Sequence, residues 1–266
     1  MTVSPRGPSL IVFSDLDGTL LDHATYQWSA AREALEALKS RDIPLILASS
    51  KTAAEISLLR DDMGFSHCPA IVENGAGVLP AGTEEGHEAP DYARLRTRID
   101  EVPRELRRWF AGFGDMSDQQ VADATGLGVA AAKLARRRQF SEPGVWSGDD
   151  ATRKAFLSAL GEIGVSARQG GRFLTLSFGA TKADQMKRLS DAFGGHAVTL
   201  ALGDAPNDIE MLEAADRGVI IANPHAPALP TLAGEADGAI IRTTEYGPLG
   251  WNRAVLDVLA NDETRE

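Results

Sequence analysis

Two carboxylates, Asp15 and Asp17, follow the short apolar run of residues 10–13. In an extended chain the side chains of residues i and i+2 point to the same side, so both carboxylates can face one reacting group. One of them can attack a phosphorus atom while the other transfers a proton. Gly18 permits a tight turn after the strand. Open α/β sheets bind ligands at the carboxyl ends of their strands, so the pair predicts a catalytic site, although an isolated pair would more often be a solvated turn.

A second acidic pair, Asp204 and Asp208, follows the apolar run of residues 198–202 and precedes a predicted helix at residues 209–215. Asp208 alone could be explained as the N-cap of that helix. Capping does not explain Asp204, and oxygen-only ligands suit a hard cation such as Mg²⁺. Two acidic clusters at one edge of a sheet therefore predict a magnesium site.

Two further positions could bind a phosphoryl group. Ser49 ends the second strand-like run, where a hydroxyl beside the backbone N–H groups of the next helix suits a phosphate oxygen. Simple capping by Ser50 or Thr52 is the alternative for this segment. Lys182 could supply the positive charge that a pentavalent phosphorus centre needs, although a single lysine is more often a solvated surface residue.

The elements that must position these residues occupy both ends of the chain. Strand-like runs alternate with helical patterns there, which indicates βαβ units and a parallel sheet, hence an α/β fold. The runs cover residues 10–14, 43–48, 70–72, 198–202, 218–221 and 239–241.

The middle of the chain differs from its ends, because it is polar and rich in arginine. It opens with a Gly/Glu/Pro-rich connector at residues 82–90. Helical patterns follow at residues 92–110, 118–124 and 128–138, and residues 172–178 alternate as a half-buried strand does. We therefore expect residues 82–179 to form a domain inserted into a core made of residues 1–81 and 180–266.

The order of these motifs resembles that of the haloacid dehalogenase-like (HAD) hydrolase superfamily. The match consists of the Asp-x-Asp-Gly-Thr motif, Ser49, Lys182 and the Gly-Asp-x-x-Asn-Asp motif. Five segments look more closely like mannosyl-3-phosphoglycerate phosphatases, namely residues 22–28, 43–52, 73–76, 138–143 and 247–251. This resemblance implies a Rossmann-like core with a parallel sheet and, because the insertion lies between Ser49 and Lys182, an α+β cap domain of the C2 type.

The resemblance also implies a role for each core residue. Asp15 is the nucleophile that forms an aspartyl-phosphate, and Asp17 is the general acid and base. Mg²⁺ is held by the Asp15 carboxylate, the Asp17 backbone carbonyl and Asp204. Ser49 and Lys182 hold the phosphoryl oxygens.

Other residues are assigned around these. Asp208 acts from outside the ligand shell or orients Lys182, and Asn74 and Asn207 line the site. The expected substrate-binding residues are Ser50, Lys51, Arg138, Ser141 and Glu142, and which of Arg136, Arg137 and Arg138 contacts the substrate stays open. The implied reaction is Mg²⁺-dependent hydrolysis of mannosyl-3-phosphoglycerate to mannosylglycerate, a compatible solute, and phosphate.

Composition limits the partners of the 266-residue chain. Its net charge is −11, which disfavours nucleic acid. No apolar run reaches 18 residues and residues 1–7 have no apolar signal region, so we expect no membrane span and no signal peptide. The single cysteine, Cys68, fits a reducing cytoplasm. The expected partner is a small phosphorylated sugar acid, and the oligomeric state is not predicted.

Three alternatives remain at this stage. The chain could be a HAD phosphatase that acts on another sugar phosphate or glycosyl-phosphoglycerate. Residues 121–127, followed by a helix that ends in the arginines 136–138, look like a helix-turn-helix and so suggest a DNA-binding regulator, against which the net charge argues. A catalytically inactive binding protein is disfavoured because Asp15, Asp17, Lys182 and Asp204 are all present.

Overall fold

The computed structural model of this chain describes residues 8–83 and 90–263. The lead segment at residues 1–7 and most of the connector at residues 82–90 lie outside the described residues. The strands are β1 (Leu10–Ser14), β2 (Leu45–Leu47), β3 (Ala70–Val72), β4 (Gly77–Leu79), β5 (Phe110–Gly112), β6 (Glu142–Trp146), β7 (Ser166–Gly170), β8 (Phe173–Ser177), β9 (Val198–Gly203), β10 (Arg217–Ala222) and β11 (Ile240–Tyr246). The helices are α1 (Arg32–Ser40), α2 (Ala53–Asp62), α3 (Pro90–Asp100), α4 (Arg104–Arg107), α5 (Asp118–Thr125), α6 (Val129–Ala135), α7 (Asp150–Glu162), α8 (Lys182–Ala192), α9 (Ile209–Ala214) and α10 (Gly247–Glu263).

A five-stranded parallel sheet in the order β11-β10-β9-β1-β2 forms the centre of one part of the molecule. All five residues of β1 are buried, as expected for a strand with helices on both faces. Leu10 and Val12 pack in a cluster with residues of α1, α2 and α10. Ile11 and Phe13 pack on the opposite face with residues of α8 and α9. Alternating side chains of one apolar strand thus join two helical layers.

The chain extends beyond this sheet through β3, which Ala48 joins by an isolated parallel bridge to Ile71. β3 and β4 form an antiparallel hairpin. The connection between them contains Glu73 and Asn74, both with left-handed backbone (φ 54° and 59°).

A second sheet, antiparallel and in the order β5-β6-β8-β7, lies within residues 110–177. Leu174 and Leu176 of β8 are buried in a cluster with residues of α3 and α7, while their neighbours along the strand are half-buried. This one-sided burial is typical of an α+β layer. The expected fold class is confirmed, whereas the domain boundaries at residues 82 and 179 stay a prediction.

The helix predicted over residues 92–110 is wrong in its extent. α3 ends at Asp100, the short α4 follows Pro103, and Phe110 begins β5. Proline has no backbone N–H and disfavours helical backbone in the preceding residue, so the pattern cannot continue as one helix. The helices α7, α8 and α10 and the strands β4 to β7 were not predicted. Within the described residues no helix is both long and apolar enough to cross a membrane.

Candidate active site

The carboxyl ends of β1 and β9 bring the two acidic motifs together. The strands pair in parallel with Ser14 opposite Leu202, and the Asp15 backbone N–H donates to the Leu202 carbonyl at 2.9 Å. Asp15 therefore leaves the sheet beside Asp204, which follows β9. The buried Trp251 of α10 contacts the end of β1, because its indole N–H donates to the Ser14 hydroxyl at 2.9 Å.

Asp15, Asp204 and Asp208 form a buried carboxylate cluster, in which one oxygen of each lies within 4.8 Å of the others. Burial, reinforced by repulsion from Asp208, raises the pKa of Asp15 well above its ordinary value, although Lys182 opposes the shift. Burial likewise raises the pKa of Asp204. Lys182 can neutralise only one of these three buried carboxylates, so the site favours a further positive charge. The oxygen donors fit a hard divalent cation, and such a cation would offset that charge.

Lys182 lies between two members of the cluster. Its Nζ is 2.6 Å from Asp15 Oδ1 and 2.7 Å from Asp208 Oδ1, and the side chain is buried. Burial alone would lower the pKa of Lys182, but the two carboxylates raise it above its ordinary value, so the amine stays protonated. Thr181 fixes the start of α8 by accepting the Asp184 backbone N–H at 3.1 Å.

Asp208 does not cap α9 with its side chain, so the capping alternative is wrong. Its Oδ2 instead accepts the backbone N–H groups of Asp204 and Ala205 at 3.1 and 3.0 Å. These bonds close the loop after β9, and they leave Oδ1 to Lys182. Gly203 is required here because a Cβ at that position would lie 2.5 Å from the Asp208 Cβ.

Both oxygens of Asp204 are oriented by neutral donors. The Thr19 hydroxyl donates to Oδ1 at 2.6 Å, and Asn223 Nδ2 donates to Oδ2 at 2.7 Å. Asn223 directly follows β10 and was missed by sequence reasoning, although a polar residue two positions after the apolar run of residues 218–221 was the available signal. Gly18, with φ 88°, lies so close to this pair that a Cβ would collide with Asn223.

Asp17 lies beside the cluster and pairs with Lys51, whose Nζ is 2.9 Å from Asp17 Oδ2. Burial would lower the pKa of Lys51, but Asp17 and nearby Glu55 raise it above its ordinary value. The other oxygen, Asp17 Oδ1, is buried without a hydrogen-bond partner among the described residues. A carboxylate with a free acceptor can exchange a proton with a bound group.

Ser49, Asn74 and Asn207 line the same edge of the sheet. Ser49 is buried, its hydroxyl accepts the Lys51 backbone N–H at 3.3 Å, and its carbonyl accepts the Asn74 backbone N–H at 2.8 Å. Asn207 Nδ2 donates to Asn74 Oδ1 at 3.1 Å. Thr52 caps α2 by accepting the Glu55 backbone N–H at 3.3 Å.

Arg138 is buried, and the partners described for it are not members of the carboxylate cluster. Its Nη1 donates to the exposed Ser50's carbonyl at 3.2 Å, its Nη2 to the Ser141 hydroxyl at 2.8 Å, and its Nε lies 3.3 Å from Glu73. The sequence did not reveal that Arg138 bonds to these three residues of the protein. The predicted contact of Arg138 with substrate stays a prediction.

Glu142 is fully buried in β6. It accepts the Gly114 backbone N–H at 2.8 Å and the Tyr92 hydroxyl, and Arg96 Nη1 lies 3.2 Å from it. None of these described partners belongs to the carboxylate cluster. The substrate-binding role predicted for Glu142 therefore stays a prediction.

The two other arginines belong to the helix-turn-helix alternative. α5 and α6 are present, but Arg136 pairs with Asp118 of α5, and Arg137 is exposed. α6 is joined to the first part of the molecule by the Thr52 hydroxyl, which donates to the Leu134 carbonyl at 3.0 Å. This bond and the pairing of Arg136 hold the two helices to each other and α6 to α2.

Known proteins match the chain over most of its length. The family described as haloacid dehalogenase-like hydrolase matches residues 12–90 and 149–232. A glucosyl-3-phosphoglycerate/mannosyl-3-phosphoglycerate phosphatase of Methanococcoides burtonii is 31% identical, over 95% of this chain and 98% of the relative. A phosphatase of the haloalkanoate (HAD) enzyme superfamily from Bacteroides thetaiotaomicron has a similar structure, with TM-score 0.63, 20% identity and coverage of 90% and 92% of the two chains. The sucrose-phosphatase of Synechocystis has TM-score 0.58 and 18% identity, with coverage of 96% and 98%. These two structural likenesses establish the fold.

Proposed function

The chain belongs to the haloacid dehalogenase-like hydrolase family and is a phosphoric monoester hydrolase, and on that premise we propose that it hydrolyses mannosyl-3-phosphoglycerate to mannosylglycerate and phosphate. The observation that carries the chemistry is the position of Lys182, which is 2.6 Å from one oxygen of Asp15. The substrate is supported by the 31% identical relative. Because that relative is named for both sugars, glucosyl-3-phosphoglycerate is the second candidate substrate.

The proposed reaction runs through Asp15. Lys182 holds Asp15 Oδ1, which leaves Oδ2 to attack phosphorus and form an aspartyl-phosphate. As the bond to the sugar acid breaks, Asp17 gives a proton to the departing oxygen. Asp17 then takes a proton from the water that attacks phosphorus, and phosphate leaves as the Asp15 carboxylate is restored.

Mg²⁺ is the proposed cofactor of this reaction. The carboxylates of Asp15 and Asp204 and the backbone carbonyl of Asp17 would hold it, and when bound it offsets the charge between carboxylate and phosphate. Asp208 keeps Lys182 in place, and Lys182 and Ser49 bind the phosphoryl oxygens. We also propose that residues 82–179 form the cap that selects the sugar.

Phosphate release from a panel of phosphorylated compounds tests the proposal. The panel contains mannosyl- and glucosyl-3-phosphoglycerate, sucrose 6-phosphate and acetyl phosphate. We expect the highest kcat/KM with mannosyl-3-phosphoglycerate. A kcat/KM that is higher with sucrose 6-phosphate than with mannosyl-3-phosphoglycerate would overturn the proposed substrate assignment. Asp15→Asn removes the nucleophile and should abolish turnover, whereas Asp257→Asn on the exposed side of α10 is the matched control that should not.

A further inference from the structure

Residues 22–28 form an ordered turn beside the proposed site that the mechanism above does not use. Asp22 Oδ1 accepts the backbone N–H groups of Ala24 and Thr25 at 3.2 and 2.8 Å, and the Thr25 hydroxyl at 2.7 Å. The Tyr26 backbone N–H donates to the Asp22 carbonyl at 2.9 Å. These bonds hold the turn in one shape.

Tyr26 has an unusual combination of backbone and side-chain environments in this turn. Its φ is 56°, in the left-handed region that side chains with a Cβ rarely adopt, and 51% of the residue is exposed. A ring this exposed adds little to the core. Burial therefore does not explain why a tyrosine occupies a position that suits glycine.

The ring lies close to the proposed proton donor. Lys51 Nζ is 5.4 Å from the centroid of the Tyr26 ring and 2.9 Å from Asp17 Oδ2, so the centroid is at most about 8.3 Å from that oxygen. The departing oxygen of the substrate must lie next to Asp17. The ring is thus no more than about 8.3 Å from the carboxylate that the departing oxygen must reach, and the other oxygen of that carboxylate, Asp17 Oδ1, is buried without a hydrogen-bond partner among the described residues.

The same turn also reaches the metal-binding side of the site. His23 stacks on His225 with ring centroids 4.6 Å apart, and the His225 backbone N–H donates to Asn223 Oδ1 at 2.9 Å. Asn223 in turn donates to Asp204. The turn is therefore attached both near Lys51 and near Asn223, and it forms a wall of the proposed site.

We propose that Tyr26 is a specificity-determining residue whose ring contacts the carbon skeleton of the sugar-acid leaving group, while Lys51 pairs with the carboxylate of that group. The inference rests on the proposed function, because it takes the leaving group to be a glycosylglycerate. An aromatic ring offers an apolar face to the C–H groups of a sugar. The Lys51 ammonium has three donors, of which Asp17 takes one.

Two substitutions at Tyr26 test the proposal together. Tyr26→Gly removes the ring and suits the left-handed backbone, so the variant should unfold within a few degrees of wild type. Tyr26→Phe keeps the ring. The measured quantity is kcat/KM for mannosyl-3-phosphoglycerate divided by kcat/KM for acetyl phosphate, which has no sugar.

We expect this ratio to fall about tenfold in Tyr26→Gly and to stay within about twofold of wild type in Tyr26→Phe. An unchanged ratio in Tyr26→Gly overturns the proposal, and so does an equal fall in both variants, since that would assign the effect to the hydroxyl. If wild type cleaves acetyl phosphate but no glycosyl-phosphoglycerate, the proposed function fails instead. The ratio is then taken with the best sugar phosphate of the panel, so the two failures remain distinct.

Discussion

Glu73, which follows β3, joins the first sheet's part of the molecule to the segment that precedes β6 through buried hydrogen bonds. Its carboxylate is fully buried and accepts backbone N–H groups from residues 139–141, just before β6. Oε1 accepts from Gln139 at 2.7 Å, and Oε2 accepts from Phe140 at 3.2 Å and from the backbone and hydroxyl of Ser141 at 2.7 Å each. Arg138 Nε lies 3.3 Å from Oε2.

The substitution Glu73→Gln keeps the shape of this side chain and removes its charge. Glutamine has one acceptor oxygen, so its amide N–H₂ must face at least the Gln139 N–H, and two donors then oppose each other. One charge-assisted bond is worth about 1.5–3 kcal/mol. Breaking a buried ion pair, here with Arg138, costs about 3–5 kcal/mol. These two costs overlap, because both result from the loss of the Glu73 charge that Arg138 neutralises, and so they are not added. We therefore expect the free energy of unfolding to fall by about 3–5 kcal/mol in total.

Urea denaturation followed by tryptophan fluorescence measures this effect. A loss of that size corresponds to a midpoint lower by roughly 1–2 M urea. The matched control is Glu101→Gln, which removes an exposed i,i+3 pair with Arg98 and should cost about 0.5 kcal/mol or less. A Glu73→Gln protein that unfolds within about 1 kcal/mol of wild type would refute the reasoning, because the buried bonds would then carry no net stabilisation.

Five further outcomes are expected. Asp17→Asn should lower kcat by roughly 10²–10⁴-fold while the protein stays folded, and near-normal turnover would remove Asp17 from the proton transfers. EDTA should abolish phosphate release, and added Mg²⁺ should raise the melting temperature of metal-free wild type but not of Asp204→Asn; equal stabilisation of both proteins would contradict the assigned ligand. The thiol of Cys68 should not react with a disulfide reagent in the native protein at pH 8, because burial raises its pKa from 9.0 to about 11. The folded state holds that proton more tightly than the unfolded state, so the contribution of Cys68 to the free energy of unfolding should be complete below pH 9 and lost between about pH 9 and 11. Cys68→Ala should lack this loss. If the free energy of unfolding falls with pH just as steeply in the variant, the loss belongs to other groups.

The fold class and the acidic motifs could be predicted because they depend on local order along the chain. A parallel strand with helices on both faces must be apolar throughout, so the buried runs before Asp15 and Asp204 were visible in the sequence. The resemblance that these motifs carry is confirmed by the family match and by the 31% identical relative. The individual roles of the site residues stay predictions.

The second sheet was only partly predictable. Its strands are short, and β7 is exposed along most of its length, so it has no apolar pattern to detect. Pro103 stood in the sequence as a signal against one helix over residues 92–110, but the helical periodicity of the flanking residues concealed it. β5 pairs with β6 across more than thirty residues, which no local pattern can specify.

By itself, then, the sequence determined which residues end the buried strands and so which carboxylates must meet at one edge of the sheet. The resemblance offered a contact of Asp208 with Lys182 as one of two roles, and only the tertiary structure decided that Lys182 pairs with both Asp208 and Asp15. It also decided that Lys51 pairs with Asp17 and Glu73 with Arg138. The physical reason is that strand burial follows from neighbours in the chain, whereas a buried charge takes its partner from whichever distant segment the folded chain brings within hydrogen-bond distance.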